Sequence, residues 1–235
     1  MNIALVLSGG TGARMGLDVP KQYQMIAGKP VIVHTLERLE RFQGVAGVIA
    51  VAPAEWTARM WEWKEVYGLS KLWDIASGGT DRQQSIRSGL SAAKRFMKEE
   101  AGGVIVQDAA RPLTSQDLLQ RLVDGLEEAP AVMPVLPITD TTYTSRDGQW
   151  VSGLLDRKTL FAGQAPEAFH FQPYYRLYQE TPTEDLSAMS GSCQLPYSRG
   201  WKVKMIPGDP ENLKITYLAD LKICERKLLE REGPD

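Results

Sequence analysis

Four basic residues, one acid and two glycine clusters are spaced along this 235-residue chain in a way that suits chemistry at phosphorus. Ile3-Ala4-Leu5-Val6-Leu7 runs into Ser8-Gly9-Gly10-Thr11-Gly12-Ala13-Arg14-Met15-Gly16, and Pro20-Lys21-Gln22 follows. A short apolar run of this kind fits a strand buried on both faces, and glycines after it let the backbone approach a ligand closely. Successive N–H groups there form an anion cradle, with Arg14 and Lys21 adding fixed positive charge beside it. A second pair, Gly78-Gly79, leads into Thr80-Asp81-Arg82 and Ser85. Asp108 closes a further apolar run in Gln107-Asp108-Ala109-Ala110-Arg111-Pro112, and Arg157 and Lys214 complete the cations. Such a set suits phosphoryl or nucleotidyl transfer, in which the protein positions reactants and neutralises charge building on phosphorus while a carboxylate holds Mg²⁺. A phosphate oxygen attacking the α-phosphate of a triphosphate is already ionised and needs no general base. The leaving pyrophosphate does need cations, which Arg14 and Lys21 supply in this reading.

Each part also has a plainer reading. The first loop could be a tight strand-to-helix turn, Arg14 and Lys21 could be solvated surface charges, and Asp108 could simply cap a helix. The familiar phosphate motifs do not fit. Lys21 is misplaced for a P-loop, and Met15 stands where a dinucleotide fold needs its third glycine. His34 and His170 lie far apart, and neither a nucleophile elbow nor a metalloprotease helix is present, so nothing marks a covalent nucleophile or general base. A protein that holds a nucleotide without turnover would not need the full set of Arg14, Lys21, Asp108 and Lys214. A dinucleotide oxidoreductase would also need an acid about 20 residues past the glycines.

The length suits one domain with a sizeable core, and the formal net charge of −2 argues against nucleic acid or a membrane surface as partner. Cys193 and Cys224 are the only cysteines, which gives no disulfide framework and reads as two small core residues. Met1 leads directly into a strand and no apolar run approaches the ~18 residues of a membrane span. The expectation is a cytoplasmic protein.

The elements that must position these residues alternate. Helical spacing covers 31–42, with Ile32, Leu36 and Leu39 on one face, and a strand follows at 48–52. A helix over 55–67 carries Trp56, Trp61 and Trp63, read as packing rather than a binding strip. Strands at 73–76, 104–106 and 131–135 are separated by a helix with Ile86, Leu90 and Ala93 on one face and another capped near Ser115. Strand–helix alternation predicts an α/β fold with a mostly parallel sheet flanked by helices. The loops 9–14, 78–85 and 108–111 would then open on its carboxyl edge, where such sheets bind ligands. The pattern breaks at 137, where a β-rich run to 151 with an Asp147-Gly148 turn predicts a projecting β-arm over about 137–158. A helix around 174–178, an acidic turn at 183–185, a strand at 203–206 and a C-terminal helix from Leu218 complete one domain spanning 1–235.

The chain resembles the cytidylyltransferases that act on 2-C-methyl-D-erythritol 4-phosphate and their relatives that act on D-ribitol 5-phosphate. The resemblance rests on Gly10 to Met15 with Pro20-Lys21-Gln22-Tyr23, Gly78 to Arg82 with Ser85, Asp108 to Pro112, Asp140-Thr141, Asp156-Arg157 and Asn212 to Thr216. It implies a Rossmann-like nucleotidyltransferase fold, a homodimer joined by the arm, and CTP with Mg²⁺ and a polyol phosphate as reactants. By position, Ser8, Gly9, Gly10, Thr11, Gly12, Gly79, Thr80, Ser85 and Ala109 line the nucleotide, and Asp108 holds ribose and Mg²⁺. Arg14 and Lys21 stabilise the transition state, and Lys214 bridges phosphates. Arg157, from the partner subunit's arm, takes the acceptor phosphate with Thr139 and Asp140. Three departures bear on the acceptor. Gln107 replaces a usual histidine, Ala165-Pro166-Glu167 replaces Thr-Pro-Gln, and Thr183-Glu184-Asp185 departs from a Thr-Asp pair. Asp108 to Arg111 and Asp156-Arg157 lean toward the methylerythritol enzymes. Gly9 to Gly12 and the 212–222 segment lean toward the ribitol enzymes.

Overall fold

Strand β1 (Ile3–Leu7) has no polar side chain for either face, so it can lie only where both faces are covered. In the computed structural model, which describes residues 1–10, 19–97 and 102–231, it is central. After it come β2 (Met25–Ile26), β3 (Lys29–Pro30), α1 (Val31–Arg41), β4 (Gly47–Ala52), α2 (Ala54–Val66), β5 (Leu72–Ser77) and α3 (Arg82–Ala93). The second half runs β6 (Gly103–Asp108), α4 (Gln116–Gly125), β7 (Ala131–Pro137), β8 (Tyr143–Thr144), β9 (Gly153–Leu154), β10 (Phe161–Gly163) and β11 (Glu167–His170). It closes with α5 (Phe171–Glu180), α6 (Thr183–Ser187), α7 (Gln194–Ser198), β12 (Val203–Pro207) and α8 (Leu218–Arg231).

β1 pairs in parallel with β4 on one side and β6 on the other, with Leu7 opposite both Val51 and Asp108. The chain walks outward through β4 to β5 and then returns across β1 to β6, so the strand order reverses at β1. Alternate residues feed two cores. Ala4 and Val6 join Ile32, Leu36, Leu39, Leu119 and Leu122 beneath α1 and α4. Ile3 and Leu5 join Ile86, Leu90, Phe169, Tyr174 and Tyr178 beneath α3 and α5. Period-two alternation on a strand with helices on both faces gives an α/β fold with a mainly parallel central sheet. A third cluster, with Val31, Leu113, Ile215, Cys224 and Leu228, fixes α8 beside the carboxyl edge.

The sheet is not wholly parallel. β11 inserts between β6 and β7, antiparallel to both, and β10 continues that line along β7. Glu167-Ala168-Phe169-His170 is too short and too mixed to read as a strand by alternation. It is held in place because Ala168 and Phe169 fill opposite cores. The expected 78–85 loop is shorter than its sequence suggests: α3 begins at Arg82, capped by Asp81, whose carboxylate accepts from the Gln84 N–H at 2.9 Å. The acidic turn at 183–185 is instead the start of α6. The arm's strands, β8 and β9, span two residues each, with Gly148 at φ +75° in the turn between them. The expected tryptophan packing holds for two of the three: Trp56 stacks on Tyr23 at 3.9 Å between centroids with Trp63 tilted against Tyr23, whereas Trp61 is 37% exposed. No described helix is long and apolar enough to cross a membrane.

Candidate active site

The carboxyl ends of β1, β5 and β6 deliver their loops to one cleft of about 500 Å³ at the strand-order reversal. Ser8, Gly9, Gly10, Lys21, Gly79, Thr80, Arg82, Ser85, Asp108, Ala109, Lys214 and Thr216 all line it. Thr11, Gly12 and Arg14 lie outside the described residues. The structure thus brings together most of the residues that the sequence scatters over two hundred positions.

The glycine loops are shaped by side chains behind them. Buried Gln22 donates from Nε2 to the Ser8 carbonyl at 2.5 Å and the Gly10 carbonyl at 2.8 Å, pinning the first loop at two points. Tyr23 donates its hydroxyl to Ser8 Oγ at 3.1 Å, and Ser8 Oγ donates to the Val51 carbonyl at 2.8 Å. Burial pushes the Tyr23 phenol up to about 12, so it remains a proton donor. Ser8 is therefore tied into the loop's frame by its hydroxyl. In the second loop, Gly79 N–H donates to Ser85 Oγ at 3.1 Å, which itself donates to the Asp81 carbonyl at 2.8 Å. A Cβ on Gly79 would fall 2.4 Å from Gln84 Cβ and 2.7 Å from the Gln84 carbonyl carbon, so only glycine fits there.

Asp108 is the electrostatic centre. It is 6% exposed, and Arg82 Nη1 lies 2.5 Å from Oδ1. Lys214 Nζ approaches Oδ2 at 3.0 Å and Arg111 Nε at 3.4 Å. Burial opposes ionisation, but the charges of Arg82, Lys214 and Arg111 overcome it and hold the carboxyl far below the usual carboxylate range. Arg82 sits at the first position of α3 and reaches back to Ser192 Oγ at 3.1 Å and Glu167 Oε2 at 3.8 Å from Nη2. Burial pushes the Glu167 carboxyl up, opposed by Ser192 and Arg82. The sequence places Arg82 and Arg111 in loop motifs and Glu167 in a departure on the acceptor side, but assigns none of the three a role, because their ion pairs join positions as far apart as 82 and 167.

Lys214 is positioned by the residue two before it. Buried Asn212 accepts from Thr114 Oγ1 at 3.0 Å, donates to the Ala165 carbonyl at 2.7 Å, and offers its own carbonyl to Arg111 Nη1 at 2.6 Å. Gln107 donates to the same Thr114 hydroxyl at 3.1 Å. Through Arg111, which also pairs with Asp108, these bonds tie the acid to the segment that carries Lys214.

Thr139, Asp140 and Arg157 stand elsewhere. All three are exposed on the arm, with Arg157 Nη1 donating to the Thr139 carbonyl at 2.6 Å, and none lines the cleft of its own chain. Neither histidine belongs to the site: His34 meets the Ile26 carbonyl at 2.9 Å, and His170 meets the Leu126 carbonyl at 2.8 Å.

A cleft of this geometry can hold a polyanion between backbone loops and lysines. The comparisons agree with that chemistry. The family model for 2-C-methyl-D-erythritol 4-phosphate cytidylyltransferase matches residues 2–230. The enzyme of that name from Syntrophus aciditrophicus is 33% identical, covering 98% of this chain and 97% of its own. A ribitol-5-phosphate cytidylyltransferase from Lactiplantibacillus plantarum is 28% identical, covering 98% and 100%. A crystal structure of 4-diphosphocytidyl-2C-methyl-D-erythritol synthase superposes with a TM-score of 0.79 at 26% identity, covering 97% of this chain and 98% of its own. The synthase of Anaerococcus prevotii, at 23% identity, shares the fold with the same score and covers 97% of each chain. The chain belongs to the 2-C-methyl-D-erythritol 4-phosphate cytidylyltransferase family and is a CTP-dependent nucleotidyltransferase.

Proposed function

We propose that the protein transfers CMP from CTP to 2-C-methyl-D-erythritol 4-phosphate, releasing pyrophosphate and supplying isoprenoid precursor synthesis. The observation that carries this reading is the meeting of both glycine loops, Lys21, Lys214 and the clamped Asp108 in one cleft. The acceptor's phosphate oxygen attacks the α-phosphorus in line, and no side chain need remove a proton. Backbone N–H groups of the 8–12 loop hold the triphosphate, and Gly79, Thr80, Ser85 and Ala109 border the nucleoside. Arg14 and Lys21 bear the charge that grows on the pentavalent phosphorus and the leaving pyrophosphate, and Lys214 bridges phosphates.

Asp108 suits Mg²⁺ as a single carboxylate on the cleft wall whose ionised form Arg82, Lys214 and Arg111 favour, since Mg²⁺ is commonly held by one or two carboxylates plus substrate phosphates. Among the described residues no cluster of three His, Cys, Asp or Glu side chains forms a metal cage, so the nucleotide would provide the remaining oxygens. When bound, the ion neutralises and orients phosphate oxygens. We read the chain as one cytoplasmic domain that forms a homodimer through its arm. Trp150, Val151 and Leu154 are 77%, 67% and 66% exposed there, an apolar display that a partner subunit would cover. Arg157, Thr139 and Asp140 would then serve the partner's acceptor pocket.

D-Ribitol 5-phosphate is the second reading, kept in view because the Gly9–Gly12 sequence and the 212–222 segment lean toward the ribitol enzymes, one of which is similar over 98% of this chain. Pyrophosphate release with CTP and Mg²⁺, measured with each acceptor at equal concentration, tests both. Preference for methylerythritol phosphate supports the proposal; preference for ribitol phosphate replaces it. Silence with both refutes both acceptor readings and points to an altered acceptor pocket, with Ala165 the first position to examine.

A further inference from the structure

The direction of a peptide group decides whether a loop attracts or repels an anion. A trans peptide carries its N–H opposite its C=O, so fixing one fixes the other. The Ser8 carbonyl points at Gln22 Nε2, 2.5 Å away, and the Gly10 carbonyl meets the same nitrogen at 2.8 Å. A side-chain amide nitrogen carries two hydrogens, enough for both oxygens. Gln22 is 2% exposed in the floor of the cleft, so both carbonyl dipoles are drawn into the protein. The Ser8–Gly9 peptide is trans, and the Gly9 N–H therefore faces the other way. Gly9 is exposed and lines the cleft, and among the described residues none accepts from its N–H. Reversal of that peptide would present an oxygen to an anion where the loop now presents a donor. Glycine resists such a reversal less than any other residue, so the loop needs a hold from outside.

Gln22 acts from a fixed base. Lys21, Gln22 and Tyr23 form one short turn, closed by the Tyr23 N–H donating to the Pro20 carbonyl at 2.9 Å, and the Tyr23 ring is stacked on Trp56. We propose that Gln22 is a positioning residue that sets the polarity of the phosphate cradle. By keeping the Ser8 and Gly10 carbonyls in the floor, it turns the Gly9 N–H to the triphosphate. The inference rests on the nucleotidyl-transfer reading and deepens it: Gln22 governs how the phosphates of CTP are held and leaves the nucleoside alone.

The test compares binding of CTP, inorganic pyrophosphate and cytidine to the full-length wild type and to Gln22→Met, by titration calorimetry in EDTA. Methionine matches glutamine in length and withdraws both N–H donors. Losing a charge-assisted hydrogen bond and turning a carbonyl toward phosphate should weaken CTP and pyrophosphate at least about tenfold. Cytidine has no phosphate to lose, and its affinity should change by less than about twofold. A merely structural defect would weaken all three alike. Equal loss for cytidine overturns the proposal, and so does CTP or pyrophosphate binding that stays within about threefold of the wild type. Should Gln22→Met fail to fold, Tyr23→Phe withdraws the weaker donor, whose Oη lies 3.3 Å from the same Ser8 carbonyl. That variant should lower the ratio of CTP to cytidine affinity about two- to threefold, and an unshifted ratio overturns the proposal. Wild-type pyrophosphate release with the two acceptors is read separately. A wild type that binds CTP and turns over neither acceptor refutes the acceptor readings and leaves the binding comparison intact; a wild type that binds neither CTP nor pyrophosphate overturns both.

Discussion

Replacing Asp108 with Asn keeps the shape of the side chain and deletes the one charge on which Arg82, Arg111 and Lys214 converge. Removing one member of a buried ion pair costs about 3–5 kcal/mol because its partners are left uncompensated. Three features moderate the loss: Lys214 is 42% exposed and can hydrate, Arg111 keeps the Asn212 carbonyl at 2.6 Å, and Arg82 keeps Ser192 and Glu167. We therefore expect the lower end, about 3 kcal/mol, which for a chain of this size lowers Tm by roughly 6–12 °C. Differential scanning calorimetry of both proteins, free of nucleotide and metal, reads that shift. The variant should also become an anion trap, with saturating pyrophosphate restoring more stability to Asp108→Asn than it adds to the wild type. The acid limb gives a further check. The folded-state carboxyl lies far below its ordinary value of 3.8, so its stabilisation is complete above that value and is lost as pH falls. The two stability curves should hence converge at pH values well under 4. A variant that melts with the wild type at neutral pH, or gains nothing extra from pyrophosphate, would refute the picture of Asp108 as the common counter-ion.

Other perturbations separate the remaining parts. Glu167 behaves in the opposite sense to Asp108: burial raises its carboxyl above the ordinary 4.5, so stability is surrendered as pH rises through that shifted value. Urea unfolding of Glu167→Gln should match the wild type in acid and exceed it at neutral pH; equal stability throughout would contradict a costly buried charge. Gly79→Ala forces a Cβ to within 2.4 Å of Gln84 Cβ, and the displaced loop should lose at least tenfold in CTP affinity by titration calorimetry, since the obstruction includes backbone. Lys21→Ala should depress kcat far more than CTP affinity, because its charge acts on the transition state. If Arg157 works across a dimer, mixing Lys21→Ala chains with Arg157→Ala chains should recover part of the activity that neither homodimer has, and no recovery would leave the arm without a catalytic part.

Local chemistry made some of this molecule readable in one dimension. β1, β4, β6 and β7 announce themselves because a strand buried on both faces must be apolar throughout, and Asp108 marks the end of one of them. The loops that follow carry glycine where the backbone has to be approached, so their meeting on one edge could be anticipated. β11 could not. Its four residues include Glu167 and His170, and its strand character comes from two neighbours more than thirty residues away in sequence. α6 reads as an acidic turn because it is a single turn anchored from outside, by Leu186 in the core and Ser187 bonded to Asp81 at 2.6 Å. The ion pairs of Arg82 were equally hidden, since nothing near position 82 points to Asp108 or Glu167. Nor does the sequence reveal that Gln22 acts on the carbonyls of the loop rather than on a ligand.

The grip of Asn212 on residue 165 is made to the main-chain carbonyl and not to the side chain. Position 165 can therefore change identity while its backbone still fastens the segment that carries Lys214. The hold on the segment that carries Lys214 is thus indifferent to the side chain at 165 and depends on the main chain there and on the amide of Asn212.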